Sequence, residues 1–292
     1  MMGHYALLIL LRITGYVSAI LPHVIRMKAG YLLGRGLMIL SPSRVEITRE
    51  NIVKAFPTDT PDYHEQIVYG SYHNLGIVLL EISAMYFMSN HMIASYMTFT
   101  NISLIEKILS RGKGIVIISG HLANWEYLAF TAGIHARLSF LLVAKDQKNP
   151  YVNEAIISLR QRGGNHTVSM DQAAKPLIHA LQSNQPVALL IDQAADPHKD
   201  ARIPFFGRDA IVFESPAALA LRFQTPLVFA VPVRNEHGYY SVTLNEVPMD
   251  DLSNTPDDII ELTKRHTAML ESAICNHPDQ WTWQHNRWKY HA

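Results

Sequence analysis

A histidine and a glutamate five residues apart have the types and spacing to do chemistry together. His121 and Glu126 lie in the segment VIISGHLANWEYLAF, residues 116–130, where Gly120 ends an apolar run. On a regular α-helix a step of five residues turns by about 140°, so the two side chains would face apart. They can meet only if His121 lies in a loop and Glu126 in the first turns of a helix. A carboxylate beside one ring nitrogen would orient the imidazole, and the other nitrogen could accept a proton.

The apolar run before Gly120 predicts a buried strand, and the residues after it predict a helix from about residue 123. Ligands of open α/β sheets bind beyond the carboxyl ends of the strands, where His121 would lie. A simpler interpretation stays open, in which His121 only bonds a backbone group near a helix start. Asn124 is a candidate helix cap that would support the turn.

The chain offers no evident covalent nucleophile. It has no G-x-S-x-G motif, Ser119 has unsuitable flanking residues, and Cys275 falls within the last predicted helix. A histidine base without a nucleophile predicts that the base activates a hydroxyl of the substrate itself.

The elements that would position these residues follow from the pattern after residue 114. Short apolar runs alternate there with helical patterns, which predicts βαβ units and an α/β fold with a mostly parallel central sheet flanked by helices. The predicted strands are GIVIISG, SFLLVAK, HTVSM, PVALLID, PLVFAVPV and YYSVTLNEV. The predicted helices after the first are PYVNEAIISLRQR, DQAAKPLIHALQSN, SPAALALRFQ and DDIIELTKRHTAMLESAI.

The N-terminal segment is apolar. Its two stretches, 5–25 and 31–40, contain Arg12 and Arg35, and Pro22 interrupts the end of the first. An arginine at the centre of a membrane span costs about 2.5–3.5 kcal/mol on insertion scales. The pattern therefore predicts two membrane-embedded or in-plane helices, and ordinary core helices are the alternative.

Three regions follow from these patterns. Residues 1–40 are predicted to be membrane-associated helices, and 41–113 a helical region that packs on the core and includes a long helix over 61–88. Residues 114–292 are predicted to be the α/β core, and 41–292 to form one compact domain.

Composition narrows the function classes. The 292 residues are 48% hydrophobic and 17% charged, against about 25% charged in an average soluble domain. The 25 basic and 25 acidic residues give a formal net charge of zero, so no global field favours nucleic acid. A single cysteine cannot form an internal disulfide and is typical of a reducing compartment. The 15 histidines include no H-E-x-x-H motif, and we expect neither a metal nor a cofactor.

Several segments carry a resemblance to a known family. SGHLANWE is similar to the H-x-x-x-x-E signature of the glycerolipid acyltransferase superfamily. The whole chain resembles, more specifically, the late lipid A acyltransferases of Gram-negative bacteria. The blocks that carry this resemblance, in order, are RENIVKAFP, KNP, LRQRGGN, LLIDQ, IPFFGRDA and HPDQWTWQHNRWK.

The resemblance implies an enzyme at the cytoplasmic face of the inner membrane. It would take a fatty acyl group from acyl carrier protein and esterify a hydroxyl of a lipid A precursor or similar glycolipid. His121 would be the general base and Glu126 the residue that orients it. Because a thioester is already activated, no covalent enzyme intermediate is required.

Further site residues are implied by position. Arg160 and Arg162 would bind the oxyanion or a phosphate of the acceptor, and both roles stay open. Supporting roles fall to Asn124, Asp192 and Arg208. Phe205 and Phe206 would line an acyl groove or simply pack. Trp281, Trp283 and His285 are interpreted as a packed C-terminal anchor.

The carrier protein is acidic, so we also expect a basic docking patch on the rim that bears His121. The candidates are Lys145, Lys148, Arg160, Arg162, Lys199, Arg202 and Arg208.

Three alternative functions remain. The first is the same reaction on a lysophospholipid, an aminolipid or another lipid hydroxyl. The second is a metal-dependent hydrolase using His121, Glu126 and His135, and the third is a non-catalytic lipid-binding module. Acyl chain length, acceptor identity, the order of acylation and the oligomeric state do not follow from the sequence.

Overall fold

The computed structural model describes residues 2–290. Its helices are α1 (Met2–Ile20), α2 (His23–Leu40), α3 (Pro42–Ala55), α4 (Pro61–Met85), α5 (Asn90–Ser95), α6 (Ser103–Leu109), α7 (Trp125–Ala136), α8 (Pro150–Arg162), α9 (Ala174–Gln182), α10 (Ser215–Phe223) and α11 (Pro256–Asn276). Its strands are β1 (Met97–Phe99), β2 (Ile115–Ser119), β3 (Leu141–Ala144), β4 (His166–Ser169), β5 (Pro186–Leu190), β6 (Ala201–Phe205), β7 (Arg208–Val212), β8 (Leu227–Arg234) and β9 (Tyr240–Glu246).

Seven strands form one sheet in the order β1-β9-β8-β2-β5-β3-β4. The five strands from β8 to β4 run parallel, β9 pairs antiparallel with β8, and β1 runs parallel to β9. Helices separate most of the parallel strands along the chain, because parallel strands need a long crossover connection between them. The predicted α/β class, with a mostly parallel central sheet flanked by helices, is confirmed.

The register of the two central strands decides where the site forms. β2 and β5 pair from Ile115 opposite Pro186 to Ser119 opposite Leu190. Two residues beyond that last pair lie His121 on one strand and Asp192 on the other. Because both strands end at the same edge of the sheet, these residues meet although 71 positions separate them in the chain.

The N-terminal helices α1 and α2 pack against α4 through very close backbone approaches. A Cβ at Gly34 would overlap the carbonyl oxygen of Tyr72, and one at Gly76 would lie 2.6 Å from the backbone nitrogen of Gly34. Ser18 adds a hydrogen bond of 3.0 Å to the carbonyl of Leu80. These helices therefore form part of the folded body. No helix within residues 2–290 is long and apolar enough to cross a bilayer.

The elements differ from prediction in a few places. Residues 201–212, interpreted as a loop, form the separate β6–β7 hairpin. The long helix ends at Met85 rather than Met88. Helix α7 begins at Trp125 because Ala123 has a left-handed backbone with φ 46°, which ends the turn after His121 before the helix starts.

Candidate active site

His121 and Asp192 form the centre of the candidate site. Nδ1 of His121 lies 2.7 Å from Oδ1 of Asp192, and the backbone N–H of His121 donates to Oδ2 at 2.6 Å. The indole N–H of Trp281 donates to the same Oδ2 at 2.8 Å. A Cβ on Gly120 would lie 3.3 Å from that oxygen, so glycine leaves room for the carboxylate.

The surroundings favour the charged form of both groups. The Asp192 side chain is buried, which disfavours its charge, but His121 and the three hydrogen bonds outweigh burial and lower the pKa of Asp192 to about 2. Burial likewise opposes the imidazolium of His121, yet the charge and hydrogen bond of Asp192 raise its pKa above the ordinary 6.5. In the neutral imidazole, the ionised Asp192 accepts the Nδ1–H, so the lone pair lies on Nε2.

The Glu126 carboxylate has a different partner from the predicted one. It binds the guanidinium of Arg160 through two hydrogen bonds, from Nε at 3.0 Å and from a terminal nitrogen at 2.6 Å. Both side chains are largely buried, with exposed fractions of 9% for Glu126 and 15% for Arg160. The hydrogen-bond partner of the His121 ring is therefore Asp192, while the Glu126 charge acts on it only through space and helps to raise its pKa.

The outer ring nitrogen of His121 has one polar neighbour, and further hydrogen bonds hold the two loops of the site. Nε2 lies 3.4 Å from the side-chain nitrogen of Gln193, an exposed residue. Nε2 of His285 accepts from the backbone N–H of Ala194 at 3.2 Å on the same loop. Thr282 donates to the backbone carbonyl of His121 through both its N–H and its hydroxyl. Thr282 thus holds the backbone of His121, and His285 holds the neighbouring loop after β5.

An apolar cavity lies beside His121. The ring of Trp125 lies edge-on to that of His121, with centroids 4.8 Å apart, and Trp125 also lines the cavity. The cavity runs between α7 and the sheet and contains about 700 Å³ of space, its opening included. Its remaining lining residues are Phe99, Ile105, Ile117, Ser119, Glu126, Leu128, Ala129, Ala132, Phe140, Leu142, Val143, Arg160, Ala188, Leu189, Leu190, Ala230 and Leu244.

A buried hydrogen-bond network holds the first turn of α7. Asn124 caps the helix by accepting the N–H of Tyr127 at 2.9 Å, which confirms its predicted role as a cap. Its amide nitrogen donates to buried Glu81 at 2.8 Å, and the Tyr240 hydroxyl donates to the same carboxylate oxygen at 2.5 Å. This network fixes the helix turn that carries Glu126.

Two of the predicted arginines lie outside the centre. Arg162 donates to the carbonyls of Met85 and Tyr86, at 2.6 and 3.3 Å, and its guanidinium lies over the ring of Phe130. It therefore links α8 to the end of α4. The predicted phosphate or oxyanion role would require Arg162 to point toward His121, and it does not. Arg208, on the β6–β7 hairpin, donates to the carbonyl of Lys54 at 3.1 Å.

The two phenylalanines do not line the cavity. Phe205 is fully buried against Trp281 and Trp288, and Phe206 packs edge-on to Phe56. Instead of forming the predicted acyl groove, the hairpin folds its aromatic rings into a cluster with the C-terminal tryptophans. The alternative interpretation as packing residues is correct.

The C-terminal tryptophans both pack in the core and contact the site. Trp281 and Trp283 do pack as an anchor, with exposed fractions of 2% and 0%. In addition, Trp281 binds Asp192 and is part of the site. Only the presence of an indole N–H, which needs a partner when buried, could have indicated this second role.

The ligand set of the alternative metal-dependent hydrolase is not assembled. His135 follows Glu126 by nine helical residues, about 14 Å along the axis of α7, and packs on Phe99. Among residues 2–290 no three His, Cys, Asp or Glu side chains form a group that could hold a metal ion.

An imidazole held by a buried carboxylate, with an arginine and an apolar cavity nearby, supplies groups that acyl transfer to a hydroxyl requires. The model of the family described as bacterial lipid A biosynthesis acyltransferase matches residues 1–290. The chain belongs to this family, and it is an acyltransferase.

Relatives of known activity are similar over most of their length. The chain is 22% identical over 275 residues to the lipid A biosynthesis lauroyltransferase of Escherichia coli strain K12, which covers 92% of this chain and 87% of that one. It is 18% identical over 272 residues to the lipid A biosynthesis palmitoleoyltransferase of the same organism, covering 92% and 86%. A lipid A biosynthesis acyltransferase of Shigella flexneri matches to the same extent as the palmitoleoyltransferase.

Proposed function

We propose that this protein transfers a fatty acyl group from acyl carrier protein to a hydroxyl of a lipid A precursor or closely similar glycolipid. The observation that carries the proposal is the His121–Asp192 pair beside the opening of the apolar cavity. The family and the relatives named above support the lipid A acceptor.

His121 is the general base in this proposal. Asp192 accepts the Nδ1–H, so Nε2 takes the proton of the acceptor hydroxyl as its oxygen attacks the thioester carbonyl carbon. The tetrahedral intermediate then collapses, the carbon–sulfur bond breaks, and the carrier thiolate takes the proton back from Nε2. Asp192 therefore fills the orienting role that the sequence assigned to Glu126.

Glu126 acts through Arg160. A bidentate carboxylate fixes the guanidinium in one orientation, and the guanidinium still has further N–H groups to donate. Arg160 either stabilises the oxyanion or binds a phosphate of the acceptor, and its place in the cavity lining suits both roles.

The apolar cavity holds the acyl chain. Apart from Ser119, Trp125, Glu126 and Arg160, its lining consists of aliphatic residues, alanines and two phenylalanines. Each methylene group buried there contributes about 0.8 kcal/mol. An acyl chain seated in the cavity would lead from its thioester carbonyl beside Trp125 toward Phe99 and Leu244.

The helices α1 and α2 place the enzyme on the membrane surface. They expose a series of large apolar side chains, with Leu10 60%, Leu32 68% and Leu40 81% exposed. Arg12 and Arg35 are exposed on the same helices, where their charges can reach lipid headgroups. This combination supports helices lying in the plane of the interface. The cytoplasmic face of the inner membrane enters the proposal only through the resemblance to the family.

Helix α8 links the N-terminal helices to the active site. Tyr5 of α1 packs edge-on to Tyr151 in the first turn of α8, with ring centroids 5.7 Å apart. Helix α8 also carries Arg160. A lipid whose chains remain in the membrane could therefore present its headgroup to the site.

Acyl carrier protein docks at the loop between β3 and α8. Lys145 and Lys148 are exposed there, after the carboxyl end of β3. Since Arg162 is bound to α4, it is left out of the predicted patch. Charge reversal at Lys148 should raise the KM for the carrier protein more than it lowers kcat, and the effect should shrink at high salt.

The decisive experiment uses the full-length enzyme in detergent or vesicles with an acyl carrier protein thioester and a lipid A precursor. Mass spectrometry should find one added acyl group, and His121→Ala should lose at least about a hundredfold in rate. Lysophospholipid in place of the precursor, and acyl coenzyme A in place of the carrier, are the matched controls. Preferred acylation of the lysophospholipid would overturn the assigned acceptor, and an active His121→Ala enzyme would overturn the assigned base.

A further inference from the structure

Ser119 is the polar member of a row of otherwise apolar residues that lie side by side on adjacent strands. It pairs with Leu190 of β5, and continuing the register of β2 with β8 by one residue places it beside Ala230, which pairs with Leu244 of β9. Side chains two apart on a strand share a face, and Ile117 lines the cavity with Ser119. The row therefore crosses four strands on the face that forms one wall of the cavity.

The hydroxyl of Ser119 is buried and unpaired. The residue is 5% exposed, and its Oγ has no hydrogen-bond partner within the described residues 2–290. Among the described residues that line the cavity it is the one hydroxyl. Several other buried polar atoms in residues 2–290 also lack a partner, but of these residues only Ser119 lines the cavity, where a ligand can supply the missing partner.

The distance of Ser119 from His121 determines which part of a bound acyl chain lies next to its hydroxyl. It precedes His121 by two residues, about 7 Å along an extended chain. In the proposed reaction the thioester carbonyl lies at His121, so the first carbons of the acyl chain enter the cavity at the level of Ser119. A saturated chain would cover the hydroxyl with methylene groups and leave it unsatisfied.

We propose that Ser119 makes the enzyme selective for donors whose acyl chain carries a hydroxyl close to the thioester, at C2 or C3. The inference rests on the proposed acyl transfer. Its physical basis is that a site with a buried hydrogen-bonding group discriminates against a substrate that lacks the partner.

The experiment compares saturated, 2-hydroxy and 3-hydroxyacyl thioesters of acyl carrier protein at equal chain length. The wild-type enzyme should prefer one hydroxylated donor by about tenfold or more in kcat/KM, the effect of one good hydrogen bond. In Ser119→Ala this preference should fall to within about twofold. Ile117→Val is the matched control on the same strand face, and it should change the rates of both donor types by the same factor.

Each outcome has a distinct meaning. Equal use of saturated and hydroxylated donors by the wild-type enzyme overturns the selectivity without affecting the proposed function. An equal loss with all donors in Ser119→Ala also overturns it, because Ser119 would then serve the thioester carbonyl. No transfer from any donor overturns the proposed function and the selectivity together.

Discussion

Replacing Asp192 by asparagine tests the central pair most directly. Oδ2 of Asp192 accepts two N–H groups, from the His121 backbone and the Trp281 indole, while Oδ1 faces Nδ1 of His121. An asparagine keeps two of these three bonds if its amide oxygen takes the place of Oδ2. Its NH₂ group then takes the place of Oδ1 and faces Nδ1. Nδ1 must then accept, and the proton moves to Nε2, where it blocks the base.

The expected loss is large. A lowering of the Asp192 pKa from 3.8 to about 2 corresponds to about 2 kcal/mol in favour of its charged form, and asparagine removes this charge. Loss of an oriented general base lowers kcat by about 10²–10⁴-fold. We therefore expect Asp192→Asn to lose at least a hundredfold in kcat, with a smaller change in KM.

The assay is acyl transfer by the purified, folded variant, with nitrogen NMR of the His121 ring to identify the protonated nitrogen. Asp196→Asn, which changes an acid on the loop after the site, is the control and should retain activity. If folded Asp192→Asn keeps more than about a tenth of the wild-type rate, or if its Nδ1 stays protonated, the argument from the tautomer is wrong.

Three further predictions follow from the site and the fold. Because the pKa of His121 is raised and the base must be neutral, kcat should fall with decreasing pH around a midpoint above 6.5; a midpoint below 6.5 contradicts the Asp192 contribution. Arg160→Lys should lower kcat, whereas Arg162→Lys should lower the melting temperature and leave kcat of the folded enzyme largely intact; equal effects on kcat would contradict the separate roles. Gly76→Ala should destabilise the packing of α2 on α4, seen as a lower melting temperature and faster proteolysis of the N-terminal helices, and unchanged values would contradict the close approach.

Much of the fold follows from local pattern. Apolar runs of strand length alternate with helical segments, which indicates the α/β class. The apolar runs form buried strands, and each amphipathic helix buries its apolar stripe against the sheet. The six strands and the long helices were predicted close to their observed positions. The hairpin at 201–212 was missed, because its alternation is short and its stabilising contacts come from the distant C-terminal tryptophans. The division into 1–40, 41–113 and 114–292 stays a prediction.

The sequence by itself determined that a histidine would follow a buried strand at the ligand-binding edge, because strand, glycine and helix signals are local. It also determined the family, through ordered blocks along the chain. Only the tertiary structure decided the partners. His121 meets Asp192 because β2 and β5 are neighbours in register, and strand order is set by packing of the whole sheet. Glu126 contacts Arg160 because α8 packs beside α7, and that arrangement also depends on contacts between residues far apart in the chain.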